Sequence, residues 1–204
     1  MTSKSKSTGT QETPSRRPQQ RGLKRARTLL DTAAELFTSK GIEETTVDDI
    51  AAAAGIAKGT FYHHYETKAA LLAALRTTVM EDFDAHVDEA LSKCPADDLL
   101  LQLDTWSKAE CEAYILMIPR HDIAFYGMGL RWTSRGERHL EQLAALLKRG
   151  KDAGKWSIKD PHSTAIFIQR GLLGVIDDMV LSDKDPKGVH REVAELVRRV
   201  VLGA

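Results

Sequence analysis

The sequence predicts an all-α protein, on three observations. No segment sustains the period-two alternation of a half-buried strand. Apolar residues instead recur every three or four positions in one segment after another. Two short helical segments are separated only by "GIAK", a tight turn containing glycine, which is the helix-turn-helix arrangement. The expected architecture is an N-terminal three-helix unit of that kind followed by a longer helical body, about nine helices in all.

Element by element, residues 1–20 are rich in Ser, Thr, Pro and Gln and are expected to be a disordered arm. Leu23, Ala26, Leu30, Ala33, Ala34 and Phe37 then form one apolar stripe, and Gly41 ends that helix. Thr46 caps a second helix with Asp48 and Asp49 in its first turn, and Gly55 closes it. A third short helix covers residues 59–64. Thr67 caps a fourth over 68–91, striped by Leu71, Leu72, Leu75, Val79, Phe83 and Val87. After Pro95 a helix starts at Asp97 or Asp98 and runs to about Ile118, where Pro119 is expected to interrupt it. Further helices are expected over 121–132, over 137–151, from Pro161 to Leu181 and from Pro186 to Leu202. The domain boundaries follow: arm 1–20, helix-turn-helix domain 21–68, body 69–204.

The chain has 204 residues and no net charge, but the charge is uneven. The first 27 residues carry Lys4, Lys6, Arg16, Arg17, Arg21, Lys24, Arg25 and Arg27 against Glu12, a balance of +7. A basic end on an acidic-leaning remainder suggests a polyanion partner there; a solvated tail is the other reading. Cys94 and Cys111 form no CxxC pair and read as free thiols of a reducing compartment. No apolar run approaches a membrane span, and the N-terminus lacks an apolar signal core. A cytoplasmic protein with no membrane partner is expected.

The run "KGTFYHHY" raises its own question, since its consecutive rings cannot all point inward from one helix. Phe61 and Tyr65 are four apart and share a face, expected to pack on Phe37, Ile50 and Ala54. Tyr62 and His63 then point away, with His64 at the flank. A helix-turn-helix lays its second helix in the DNA major groove. Lys58 can donate to a guanine edge or a phosphate, and Thr60 to a phosphate or against a thymine methyl. Gly59 has no side chain to hold the duplex away. Tyr62 offers a phenol donor and His63 a ring that can read a base edge. Lys68 adds charge in the first turn of the next helix, and Thr46 sits at a helix start where a phosphate can share its role. From the arm, Arg21 and Lys24 can reach phosphates or the minor groove. The bland alternative is a three-helix fragment whose rings are all structural. His63 and His64 diverge by about 100° around a helix, so no metal site is expected there.

"TTVDDIAAAAGIAKGTFYHHYETKAALL" resembles the DNA-binding region of the TetR family of bacterial transcriptional regulators. The likeness rests on Thr46, Ile50–Ala51, Ala54–Gly55–Ile56, Lys58 to Tyr62, Tyr65, Lys68 and Leu71, with Phe37 and Gly41 upstream, and covers about residues 23–72. Ala57 departs from it: many members carry a polar residue there that can touch phosphate. The resemblance implies a homodimer bound to a palindromic DNA operator and released by a small-molecule effector, repression being the reading preferred over activation or ligand-independent control. It implies a body for ligand binding and dimerisation, with the last two long helices making the interface. Leu172, Ile176, Met179, Val189, Val193, Leu196, Val197 and Val200 are the interface candidates. The effector pocket is expected among Cys111, Tyr114, Ile115, Ile118, Phe125, Met128, Trp132, Phe167 and Leu173, with His121, Arg170 and Asp177 as its polar groups. Each is a residue that plain core could equally claim.

Catalysis is the rival class. The chain has no HExxH, GxSxG or GxxxxGK[ST] pattern, so no catalytic residue, cofactor or metal is expected. A helical interaction protein that does not bind DNA is the other alternative, disfavoured by the basic end and the glycine-opened helix.

Overall fold

A computed structural model describes residues 16–126, 138–182 and 186–203. Among the described residues there are eight helices and no strand: α1 (Arg16–Lys40), α2 (Val47–Ala53), α3 (Lys58–His64), α4 (Lys68–Ser92), α5 (Leu99–Tyr126), α6 (Arg138–Asp152), α7 (Pro161–Leu181) and α8 (Pro186–Leu202). The chain divides into two compact units, one ending at Leu71 and the other beginning at Leu72.

In the first unit α1 starts at Arg16, ahead of the apolar stripe, which corrects the expected arm for residues 16–20. Pro18 falls in the first turn, where its missing N–H is not needed, and Gln and Arg are good helix formers. Leu29, Leu30, Ala33, Ala34 and Phe37 are the buried stripe. The helix stops at Gly41, whose φ of +91° suits a residue without a Cβ and whose N–H donates to the Phe37 carbonyl at 3.0 Å. Helix α2 ends in a Schellman turn: Gly55, at φ +65°, donates to Ala52 O at 3.1 Å, and Ile56 N donates to Ala51 O at 3.0 Å.

In the second unit the core gathers Phe83 and Val87 of α4, Leu103, Trp106 and Tyr114 of α5, Leu143 and Leu147 of α6, Leu172 and Ile176 of α7, and Val193 and Val197 of α8. Helix α6 packs on α7, α5 on α8 and α7 on α8. The expected break at Pro119 does not occur, and α5 runs on to Tyr126. A proline removes one N–H bond, the one to the carbonyl four residues back, while the turns on either side keep theirs. The helix expected up to about Ile118 and the part of the next one up to Tyr126 are therefore one; residues 127–132 of the latter lie outside the described residues. Past α6, Trp156 folds back on that helix: its Nε1 donates to Leu147 O at 2.8 Å, and its ring lies where a Cβ on Gly150 would stand 1.7 Å away.

The last two helices also correct the expected interface. Leu172, Ile176, Met179, Val189, Val193 and Val197 are all buried in the unit's own core, whereas Leu196 and Val200 are exposed. The stripe read as partner-facing lies in the unit's own core, where α7 packs on α6 and α8 on α5. The apolar residues left exposed on these helices are Ile166 and Phe167 on α7 and Leu196, Val200 and Leu202 on α8; Phe167 is 66% exposed.

Candidate nucleic-acid interface

The α2–α3 segment is held by short-range contacts that its sequence spells out. Thr46 and Asp49 close a capping box: Asp49 N–H donates to Thr46 Oγ1 at 3.1 Å, and Thr46 N–H donates back to Asp49 Oδ2 at 2.8 Å. Lys40, in the last turn of α1, reaches the same carboxylate at 2.7 Å. The Lys40 hydrogen bond first, then those from Thr46, hold the Asp49 carboxyl far below the ordinary carboxylate range.

Helix α3 has seven residues, too few to persist in water on its own. Phe61, fully buried, is its anchor. Tyr65 at its C-terminal cap is half-buried, with its hydroxyl 3.5 Å from Ala26 O, and burial raises its pKa. Tyr62 is 48% exposed and sets its ring edge-on to Phe61, centroids 5.5 Å apart. Lys58, Gly59 and His63 are exposed, Thr60 and His64 half-buried. Positions 58, 59, 62 and 63 lie on one side of the helix, so the ring run divides between a core side and an open side. A Cβ built on Gly59 meets nothing within 4 Å, so its open space is solvent.

The expected binding residues do not all stand free. Lys58 Nζ lies 2.9 Å from both oxygens of Asp48, a contact that raises its pKa. Thr46 is occupied by the capping box. Lys68 is corrected outright: its ammonium donates to Ile42 O at 2.7 Å, Glu43 O at 3.3 Å and Thr45 O at 2.9 Å. All three of its donors close the α1–α2 connection. Lys24 is exposed on α1, while the Arg21 side chain lies outside the described residues. Lys24, Arg25 and Thr28 form one wall of an open cleft of about 560 Å³, with Ala57 and Thr60 opposite. This surface offers ammonium, guanidinium, hydroxyl and imidazole donors beside a helix side free of bulk, a set suited to phosphates and base edges.

Of the expected pocket residues in the second unit, Cys111, Tyr114 and Leu173 are buried in its core. Burial pushes the Cys111 thiol up to about 12. Phe167 and Asp177 are exposed, which corrects their assignment to a pocket wall, and Arg170 is intermediate. The side chains of Ile118, His121 and Phe125, and the whole of Met128 and Trp132, lie outside the described residues. Sequence reasoning missed a set of buried polar side chains, Glu110, His139 and Gln169. His139 Nδ1 lies 3.5 Å from Asp84 Oδ1, and its ring centroid 5.1 Å from that of Phe83. The signal for Glu110 was present: it follows Leu103, Trp106 and Ser107 at helical spacing and precedes Ala113 and Tyr114, on the buried side of α5. Among the described residues no three His, Cys, Asp or Glu side chains are placed to hold a metal, and no helix is long and apolar enough to cross a membrane.

Residues 29–75 match the family described as bacterial regulatory proteins, tetR family. The chain is 44% identical over 54 residues to the HTH-type transcriptional repressor KstR2 of Rhodococcus jostii, a stretch covering 26% of each chain. It is 37% identical over 76 residues to the HTH-type transcriptional regulator EthR of Mycolicibacterium smegmatis, covering 37% of this chain and 35% of that one. These matches thus span between a quarter and about a third of those relatives' lengths. The structure resembles that of the fatty acid degradation regulator FadR from Bacillus halodurans, with a TM-score of 0.69 at 22% identity over 85% of this chain and 94% of that one. At that identity the likeness is one of fold.

Proposed function

We infer that this chain, which belongs to the TetR family of bacterial regulatory proteins through residues 29–75, is a transcriptional repressor that binds a DNA operator as a homodimer and leaves it when a small molecule binds its second unit. The observation that carries the reading is the two-sided α3. Phe61 fixes one side in the core while Lys58, Gly59, Tyr62 and His63 share the other, open to solvent. That is the presentation a recognition helix needs in a major groove.

Dimerisation is supported by the open apolar side of α7 and α8. Phe167, Gly171 and Gly174 follow one another at helical spacing, and a Cβ at either glycine meets nothing within 4 Å. Leu196 and Val200 form a matching pair on α8. A second copy laid on this side covers the apolar surface and sets two α3 helices on two half-sites, about 34–36 Å or a multiple apart. Effector binding is supported by Glu110, His139 and Gln169, polar side chains buried within a largely apolar core. Release follows from linkage: a ligand that prefers a conformation with mis-spaced heads lowers operator affinity by its differential binding, typically about 1–3 kcal/mol.

The test is selection of bound duplexes from genomic DNA, followed by a metabolite screen against the recovered sequences. A palindromic consensus and at least one metabolite that weakens binding are expected. A ligand that binds the second unit tightly yet leaves operator affinity unchanged removes the release mechanism.

A further inference from the structure

The two acids that open α2 have different surroundings. Asp49 belongs to the capping box and to Lys40, and so to the architecture of the domain. Asp48 stands outside the box, is largely exposed, and holds Lys58, the first residue of the recognition helix, 2.9 Å from both its oxygens. A carboxylate beside a surface meant for a polyanion opposes the sequence-independent part of binding, because it repels phosphate and occupies a cation that would otherwise neutralise one.

We propose that Asp48 is a specificity residue: it holds the Lys58 ammonium against capture by phosphates and keeps it aimed at a base edge. This inference rests on the DNA-binding reading above. An ammonium has three N–H donors. With one kept on Asp48, two remain for the O6 and N7 acceptors of a guanine, so a cognate site can be engaged without breaking the ion pair. A phosphate lies outside the groove and competes with the carboxylate instead. Asp48 therefore weakens binding to arbitrary sequence more than binding to the operator, and widens the gap between them. The arrangement is legible as a charge pattern: an acid at position 48 and a base at 58, at the starts of the two helices of the motif.

The experiment uses the full chain and its Asp48→Asn, Asp48→Glu, Lys58→Met and Asp48→Asn/Lys58→Met variants. Each is titrated between 50 and 200 mM salt against a duplex selected by the wild type and against a shuffled duplex of equal length and composition. Melting curves check folding, and Asp48→Ser replaces Asp48→Asn if the latter melts early. Asp48→Asn is expected to bind the shuffled duplex more tightly and to lower the selected-to-shuffled affinity ratio several-fold. Its log–log salt slope on the shuffled duplex should steepen by about 0.9, one phosphate's worth, so that its advantage over wild type shrinks about 3.5-fold between 50 and 200 mM. Asp48→Glu should keep the wild-type ratio. In the Lys58→Met background the change at Asp48 should leave the ratio where Lys58→Met alone puts it. An unchanged ratio in Asp48→Asn, or an equal change with Lys58→Met present, overturns the proposal while leaving the DNA-binding reading intact. A wild type that binds no duplex at 50 mM salt overturns both.

Discussion

Lys68 Nζ donates to Thr45 O at 2.9 Å, joining the first residue of α4 to the last residue before the cap of α2. With its bonds to Ile42 and Glu43 it closes the whole α1–α2 connection. The Thr45 side chain beneath is fully buried, and its hydroxyl donates to Gly41 O at 2.6 Å. Lys68 is thus a structural cation, and this changes what its removal does. Lys68→Met should cost about 2 kcal/mol in a denaturant titration, the scale of charge-assisted hydrogen bonds lost from partly buried carbonyls. The salt slope of DNA binding should stay as it is. A variant of full stability whose slope falls by about 0.9 would instead mark Lys68 as a phosphate contact.

The two thiols should separate cleanly. Cys111 is fully buried, with its pKa pushed up to about 12, while Cys94, just past the end of α4, is half-buried. Titration of the native protein with an aromatic disulfide at pH 8 should modify Cys94 and leave Cys111 silent until the chain unfolds. The sign on stability follows: the unfolded thiol loses its proton near its usual value and the folded one does not. Stability therefore declines as pH rises from about 9 towards 12. Equal labelling rates for both cysteines would contradict the burial of Cys111.

Self-association should depend on Phe167 rather than on the buried stripe. Phe167→Glu places a charge on the open side of α7 and should convert a dimer to a monomer in sedimentation, with the helical signal retained. Val193→Ala removes methyl groups from the unit's own core and should cost about 1–3 kcal/mol in folding without a specific effect on assembly. A dimer that survives Phe167→Glu would place the interface elsewhere.

Much of this was legible in the chain because it depends on neighbours in sequence. The Thr46 cap of α2, the glycines at 41 and 55, and the division of Phe61 from Tyr62 all follow from spacings of one to four residues. What escaped depends on partners distant in sequence. A lysine in a first turn reads as a free cation until carbonyls 23 to 26 residues away are seen around it. A clean apolar stripe on α8 says that one side is buried, but not whether its own chain or a second copy buries it. Nor does Pro119 say whether a helix stops there, since that turns on bonds made by the turns on either side.

Gly59 offers the sharpest test of the claim that the open side of α3 meets a duplex. A Cβ there points into free space, so Gly59→Leu should fold normally and melt no lower than the wild type, glycine being a poor helix former. Its affinity for a duplex selected by the wild type, read by fluorescence anisotropy, should fall by an order of magnitude or more, because the added side chain fills the gap between backbone and bases. A folded Gly59→Leu variant that binds as tightly as the wild type would show that this side of the helix does not face DNA.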